Sequence, residues 1–524
     1  MPKTTGNTCP TTEGAEVMSR HSSVPARFGR AAALVALSGL LASCVAPAGG
    51  RSGEETRAPI PPATTTTLPP ATATDMGDPL APGLGNGGYD VEEYAVDMTF
   101  DPGAITRAKL NIDAAPADPA DPPVVLATAT ITATATQRLT EVVFDFEGAD
   151  VWKASVDGES ARFVQKRAKL FVTPARRVGA GKSFTVEVSY HITPAARRSE
   201  VATHDVGWVG STPGSWHVRS EPDGAHHWLP ANDHPSDKAV FHIEVTAAPQ
   251  MAAVASGDLV EHTKDNRWVW ETSDPVPPSS VLVVIAPLEV VEDEAASAET
   301  GVTIRHALPP SMAGNRPGAL RFVDDMLLEL EDKFGAYPFD SFGVVVVDGP
   351  TTSFGNHTWA VMTADQLTDN AAELTIIDHL ARHWFGDSAT PARWSDVWLS
   401  TSFARYAQWL WIERDLGNRA GDLAAGTARN SVMDSGWPPP DEPRLGDVFV
   451  GSVFIHGAVT LHALRLRMGD GPFFRMMADL YAEHAGGWVS TADMVAAVSA
   501  AGTDIRHLYD TWLHGDSLPG FPDR

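Results

Sequence analysis

The spacing of apolar residues changes period once along this 524-residue chain, near residue 300, and that change limits the folds open to it. Before it, Tyr94-Ala95-Val96-Asp97-Met98-Thr99-Phe100 and Val125-Leu126-Ala127-Thr128-Ala129-Thr130-Ile131-Thr132 alternate with a period of two, which places one face of a strand in a core. Further β-rich runs lie at 142–146, 184–190, 241–245 and 281–285, between Gly, Pro and Asp turns. After it, Leu320, Val323, Leu327, Leu330 and Phe334 stand at helical spacing, and Gly335 with Pro338 closes that helix. A strand is expected over 342–347, then helices over about 373–385, 397–413, 457–468, 472–484, 491–500 and 504–513. The chain is therefore expected to be α+β and multidomain. A mostly antiparallel β domain over 89–297 precedes an α-rich domain over 298–524, and there is no internal repeat.

The first 88 residues read differently. Arg27 and Arg30 precede a short apolar run from Ala31 to Ala42, and Leu41-Ala42-Ser43-Cys44 ends it. A basic start, a short apolar stretch and small residues make a secretory signal over 1–44, too short to remain as a spanning helix. Its ending resembles the lipobox of bacterial lipoproteins, in which the cysteine is lipidated; an ordinary signal peptide cut nearby is the alternative. Residues 45–88 are rich in Pro, Thr, Ala and Gly and are expected to form an extended tether. An extracytoplasmic lipoprotein, held to the bacterial cell membrane through Cys44, is the expectation. Cys9 and Cys44 are the only cysteines, so the body has no disulfide framework and no thiolate metal site. A formal charge of -27 excludes a nucleic-acid partner, whose phosphates need Lys and Arg, and fits a self-repelling soluble surface.

Four segments carry a more specific signal. The first is Glu221-Pro222-Asp223-Gly224-Ala225-His226-His227-Trp228-Leu229-Pro230, continuing into Asn232-Asp233-His234-Pro235-Ser236-Asp237-Lys238-Ala239. The second is Asp378-His379-Leu380-Ala381-Arg382-His383-Trp384-Phe385-Gly386-Asp387, and the third Trp394-Ser395-Asp396-Val397-Trp398-Leu399-Ser400-Thr401-Ser402-Phe403-Ala404. The fourth is Phe454-Ile455-His456-Gly457-Ala458-Val459-Thr460-Leu461-His462. In this order they resemble the membrane alanyl aminopeptidase family of zinc metallopeptidases, peptidase family M1. The second and third look like its H-E-L-A-H-Q-W-F-G-N and W-x-D-x-W-L-N-E-G-F-A, and the fourth like its Y-x-K-G-A-x-x-L. The likeness runs from Gly85 to the chain's last residues and implies an N-terminal β saddle domain followed by a thermolysin-like peptidase domain.

In that family two histidines one helical turn apart and a glutamate from the next helix hold zinc, and a further glutamate activates the bound water. Carried over position by position, the ligands fall on Asp378, Arg382 and Thr401, and the catalytic glutamate falls on His379. The tyrosine that steadies the tetrahedral intermediate falls on Phe454, which has no hydroxyl. The G-A-M-E-N loop aligns with Thr352-Ser353-Phe354-Gly355-Asn356, so Gly355 replaces a glutamate that grips the substrate amine, while Asn356 and the second amine-binding carboxylate, Glu221, remain. The resemblance thus implies a degenerate member in which no zinc ligand survives and no cofactor is expected.

Metal can be sought elsewhere. His379 and His383 are four apart and expected on one helical face, but turned about 100° from the family's zinc direction, with Ser402 at the matching third position. Asp378 and Arg382, at i and i+4, are expected to pair where zinc would sit. Trp384, Trp394, Trp398, Phe385 and Phe403 read as core, and His226, His227 and His234 as solvated or hydrogen-bonded. Three functions follow: a pseudopeptidase that binds peptides or protein partners, an active zinc aminopeptidase using His379 and His383, or an envelope scaffold with a vestigial groove.

Overall fold

The computed structural model describes residues 75–100, 123–210, 214–349, 352–515 and 517–523; the signal segment, Cys9, Cys44 and the tether up to residue 74 lie outside them. An eight-stranded sheet carries the first half. Its order is Asp258–His262, Arg267–Glu271, Val240–Thr246, Tyr89–Phe100, Val125–Ala135, Ser183–Ile192, Ala149–Val156 and Glu159–Ser160. Neighbours are antiparallel except Tyr89–Phe100 and Val240–Thr246, which run parallel. The period of two acts as expected. In Val125–Ala135 every second residue from Val125 to Ala135 is buried and the threonines between are half-buried. A five-stranded sheet in the order Ala252–Ala255, Val283–Ala286, Trp216–Arg219, Asp205–Gly210 and Ala196–Arg198 lies in the same half, and its strand Trp216–Arg219 delivers the chain to Glu221.

A second five-stranded sheet, in the order Glu289–Glu292, Thr303–Leu308, Ser341–Val346, Trp359–Met362 and Phe354–Asn356, supports the helical half. Its first strand precedes residue 297 yet pairs with Thr303–Leu308, so hydrogen bonding joins the two halves across the expected boundary. Ala307, Val345, Val361 and Trp359 pack with the β-domain core, while Val344, Val346, Ala360 and Met362 face the helical core. Helices Ala372–Ala381 and Trp398–Leu416 pack on each other next to this sheet, and Gly457–Met468 crosses the second of them. No helix among the described residues is long and apolar enough to cross a membrane.

Two expectations are corrected. Residues 75–88 belong to the folded body rather than to a tether: Asp78, Ala81 and Asn86 are buried. Asp78 Oδ2 accepts from Trp394 N at 3.0 Å and lies 3.3 Å from His234 Nε2. Asn86 joins the buried Asp145–Lys169 pair, its Nδ2 donating to Asp145 Oδ2 at 3.0 Å. The second correction concerns the helix expected over 373–385, which ends at Ala381. The amides of His383 and Trp384 bond three residues back, to Leu380 and Ala381, so the last turn tightens and Gly386, at φ +146°, leads the chain away.

Candidate functional site

The expected site residues converge where Ala372–Ala381 and Trp398–Leu416 meet the strand Phe354–Asn356. Asp378 and Arg382 pair as the i,i+4 spacing requires, with Nε 3.2 Å from Oδ2. Gln408 Nε2 donates to the other oxygen, Asp378 Oδ1, at 3.1 Å and to Leu374 O at 3.0 Å. The Arg382 guanidinium sits 5.8 Å from the Phe454 ring centre, a cation–π contact. Thr401 turns its hydroxyl away from this pair: Oγ1 donates to Val453 O at 2.6 Å, beside Ser402 Oγ on the same carbonyl. Burial works against the charge on Arg382, yet Asp378 and Glu221 hold its pKa above the ordinary value.

Glu221 and Arg382 line one cleft of about 40 Å³ with Gly355, Ser280 and Asp387. Burial raises the Glu221 pKa, against the pull of Arg382 and Arg219. Two guanidiniums therefore already answer the carboxylate that would grip an amine. Gly355 sits close against two side chains: a Cβ there would stand 3.3 Å from His379 Cβ and Nδ1 and 3.4 Å from Arg382 Cδ, so these neighbours would have to give by a few tenths of an ångström. Asp387 accepts from Ser280 Oγ at 2.6 Å, and burial pushes its carboxyl up to about 7.

His379 and His383 both reach the strand Phe354–Asn356 but are held differently. His383 is fully buried, and both ring nitrogens are engaged, Nδ1 at 2.7 Å from the Tyr337 hydroxyl and Nε2 at 3.1 Å from Asn356 O. His379, 5 % exposed, has no hydrogen-bond partner on either nitrogen, and burial lowers its pKa to about 4. The Asn356 side-chain amide is likewise buried and unpartnered at both Nδ2 and Oδ1. Trp384, Phe385, Trp394, Trp398 and Phe403 are core residues. Gln408 escaped sequence reasoning. It stands seven residues after Thr401, two turns along the same helical face, and that spacing is the signal that would have pointed to it.

Zinc in this fold takes three protein donors that are neutral or anionic. Asp378 is one, but Arg382 is a cation and Thr401 donates its proton elsewhere. The residues present do not fit zinc, and the pair His379 and His383 offers at most one free imidazole.

Comparison with known proteins fits this geometry. The model of the peptidase family M1 domain matches residues 326–512. Aminopeptidase N of Streptomyces lividans is 27 % identical over 316 residues, covering 54 % of this chain and 36 % of that protein. A leucyl aminopeptidase of Saccharolobus solfataricus is 21 % identical over 420 residues, covering 73 % of this chain and 50 % of its own. The chain thus spans half or less of these curated relatives. Among solved structures, an M1 zinc metallopeptidase of Deinococcus radiodurans, a glutamate-to-alanine mutant bound to a Tyr-Ser-Ala substrate, superposes with a TM-score of 0.74. It is 28 % identical, and the match covers 86 % of this chain and 99 % of that one. Residues 326–512 thus match a peptidase family M1 domain, and the chain resembles the M1 zinc metallopeptidases in fold.

Proposed function

We propose that this chain is a non-hydrolysing member of the M1 aminopeptidase family, which binds a peptide or protein partner in the groove without cleaving it. The observation that carries the reading is the Asp378–Arg382 ion pair at two of the three family ligand positions, with the Thr401 hydroxyl turned onto Val453 O at the third. A fixed guanidinium repels a divalent cation, and no metal means no activated water. The unpartnered His379 ring and Asn356 amide support binding, because buried polar atoms without partners favour a ligand that supplies them. We extend the proposal to location: lipid attachment at Cys44 would present the groove outside the cytoplasm. The reading is tested with purified protein, aminoacyl and peptide substrates, and added zinc. No turnover, with saturable peptide binding weakened in Asn356→Ala, is the expected result; zinc-dependent release of amino acids would overturn it. Release of the protein from membranes by Cys44→Ala tests the anchor separately.

A further inference from the structure

Outside the groove, the turn after strand Val142–Asp145 and the short 3-10 helix Ala225–His227 bring three metal-ligating side chains together. Glu147, His226 and His227 each place a ligand atom within 4.8 Å of the other two. The two segments are already joined through their backbones, Glu147 N donating to His226 O at 2.9 Å and Asp145 exchanging bonds with Ala231 at 2.8 and 3.0 Å. His226 is oriented from behind, with Nδ1 2.8 Å from Asp233 Oδ2, which leaves Nε2 as its ligating nitrogen. A carboxylate placed this way fixes the tautomer and direction of a metal-binding imidazole. His227 has its Nδ1 shut from solvent with no partner, and its ring centre lies 4.1 Å from that of His226. Glu147 is exposed, and binding would draw its carboxylate inward toward the spacing of about 3.4 Å that tetrahedral bonds of about 2 Å require. Its charge also offsets Arg197, whose guanidinium packs on the neighbouring Gly148.

We propose that Glu147, His226 and His227 form a site for a divalent transition metal of the zinc class, clipping the Glu147 turn to the segment that runs on from Glu221. Two imidazoles, one carboxylate and a water make the donor set. The site is separate from the family's zinc position and does not rest on the reading of the groove. Its bound metal would hold the Glu221 segment against the β domain.

The test uses the full chain, stripped with a chelator and titrated calorimetrically with zinc. About one equivalent should bind, with affinity at least about tenfold weaker in Glu147→Gln, lost in His227→Ala and unchanged in His379→Ala. Glu147 is exposed, so that variant reports on the site even if His227→Ala misfolds. Cobalt should give the intense visible bands of a tetrahedral site in the parent chain and not in Glu147→Gln. No stoichiometric uptake, or uptake that survives Glu147→Gln undiminished, overturns the proposal.

Discussion

Arg382 shows at the scale of one residue how a buried polar pocket is neutralised from within. Its guanidinium bonds Asp378 and faces Phe454, and its Cδ would stand 3.4 Å from a Cβ at Gly355. Arg382→Ala should destabilise the fold by about 2–4 kcal/mol, because Asp378 is then a buried carboxylate with Gln408 as its remaining donor. Replacing both partners with apolar residues, Asp378→Leu with Arg382→Met, should recover most of that loss, since the desolvation cost disappears with the charges. Urea denaturation midpoints decide the matter; a double variant no more stable than Arg382→Ala would show that the pair contributes more than mutual neutralisation. The pair was legible in the sequence because i and i+4 meet on any helix. The fate of His383 was not, since Tyr337 and Asn356 lie 46 and 27 residues away and the helix ends before reaching it.

Among elements, close helix packing is written in small residues that apolar periodicity passes over. Gly457 opens the helix Gly457–Met468 where it crosses Trp398–Leu416. A Cβ there would stand 2.0 Å from Ser402 Oγ and 2.9 Å from Trp398 Cε3. Ser402 is bonded to Val453 O and cannot turn aside without losing that bond. Gly457→Ala should therefore cost about 1–3 kcal/mol, the range for overpacking a filled core. Gly426, inside the helix Asn418–Ser435, has nothing within 4 Å of its Cβ position, so Gly426→Ala should stabilise by about 0.5–1 kcal/mol. Thermal or urea unfolding of the two variants gives opposite signs if backbone crowding governs, and equal signs if it does not. That same helix was missed in the sequence. Its buried stripe is Ala420, Gly421, Ala424, Ala425 and Val432, too small and weakly apolar to register as a periodic pattern. The long helix before it carried Tyr406, Trp409, Leu410 and Ile412 and was plain.

For the whole molecule, an unusual share of buried imidazole links the fold to pH. Composition gave the charge and the absence of body cysteines, and period gave the two halves, but burial of the histidines depends on distant strands meeting and had no local signature. Burial lowers His204, His217, His306 and His379 to about 4, His383 to about 3 and His227 to about 2, from an ordinary 6.5. Below pH 6.5 the unfolded chain takes up a proton at each of these six while the folded chain does not, so stability is lost as pH falls toward 4. Two carboxyls act in the opposite sense. Burial raises Asp237 to about 8 and Asp387 to about 7, so the folded chain keeps protons there that the unfolded chain releases above about 4, and stability declines as pH rises through that window. Six groups outweigh two between pH 6 and pH 5, and each uncompensated proton is worth about 1.4 kcal/mol per pH unit. The urea midpoint should therefore drop steeply on acidification below pH 6, by on the order of 2–5 kcal/mol over one unit. Above pH 6.5 the contribution of these six histidines is complete; the two carboxyls still act, joined by His226 and His514, whose pKa values are raised, against burial, by Asp233 and Asp441, so the same midpoint should level off and then decline gently toward pH 8. A midpoint that stays flat or rises between pH 6 and pH 5 would mean that these imidazoles are protonated in the folded protein, and that the orphaned ring of His379 is already charged before any partner arrives.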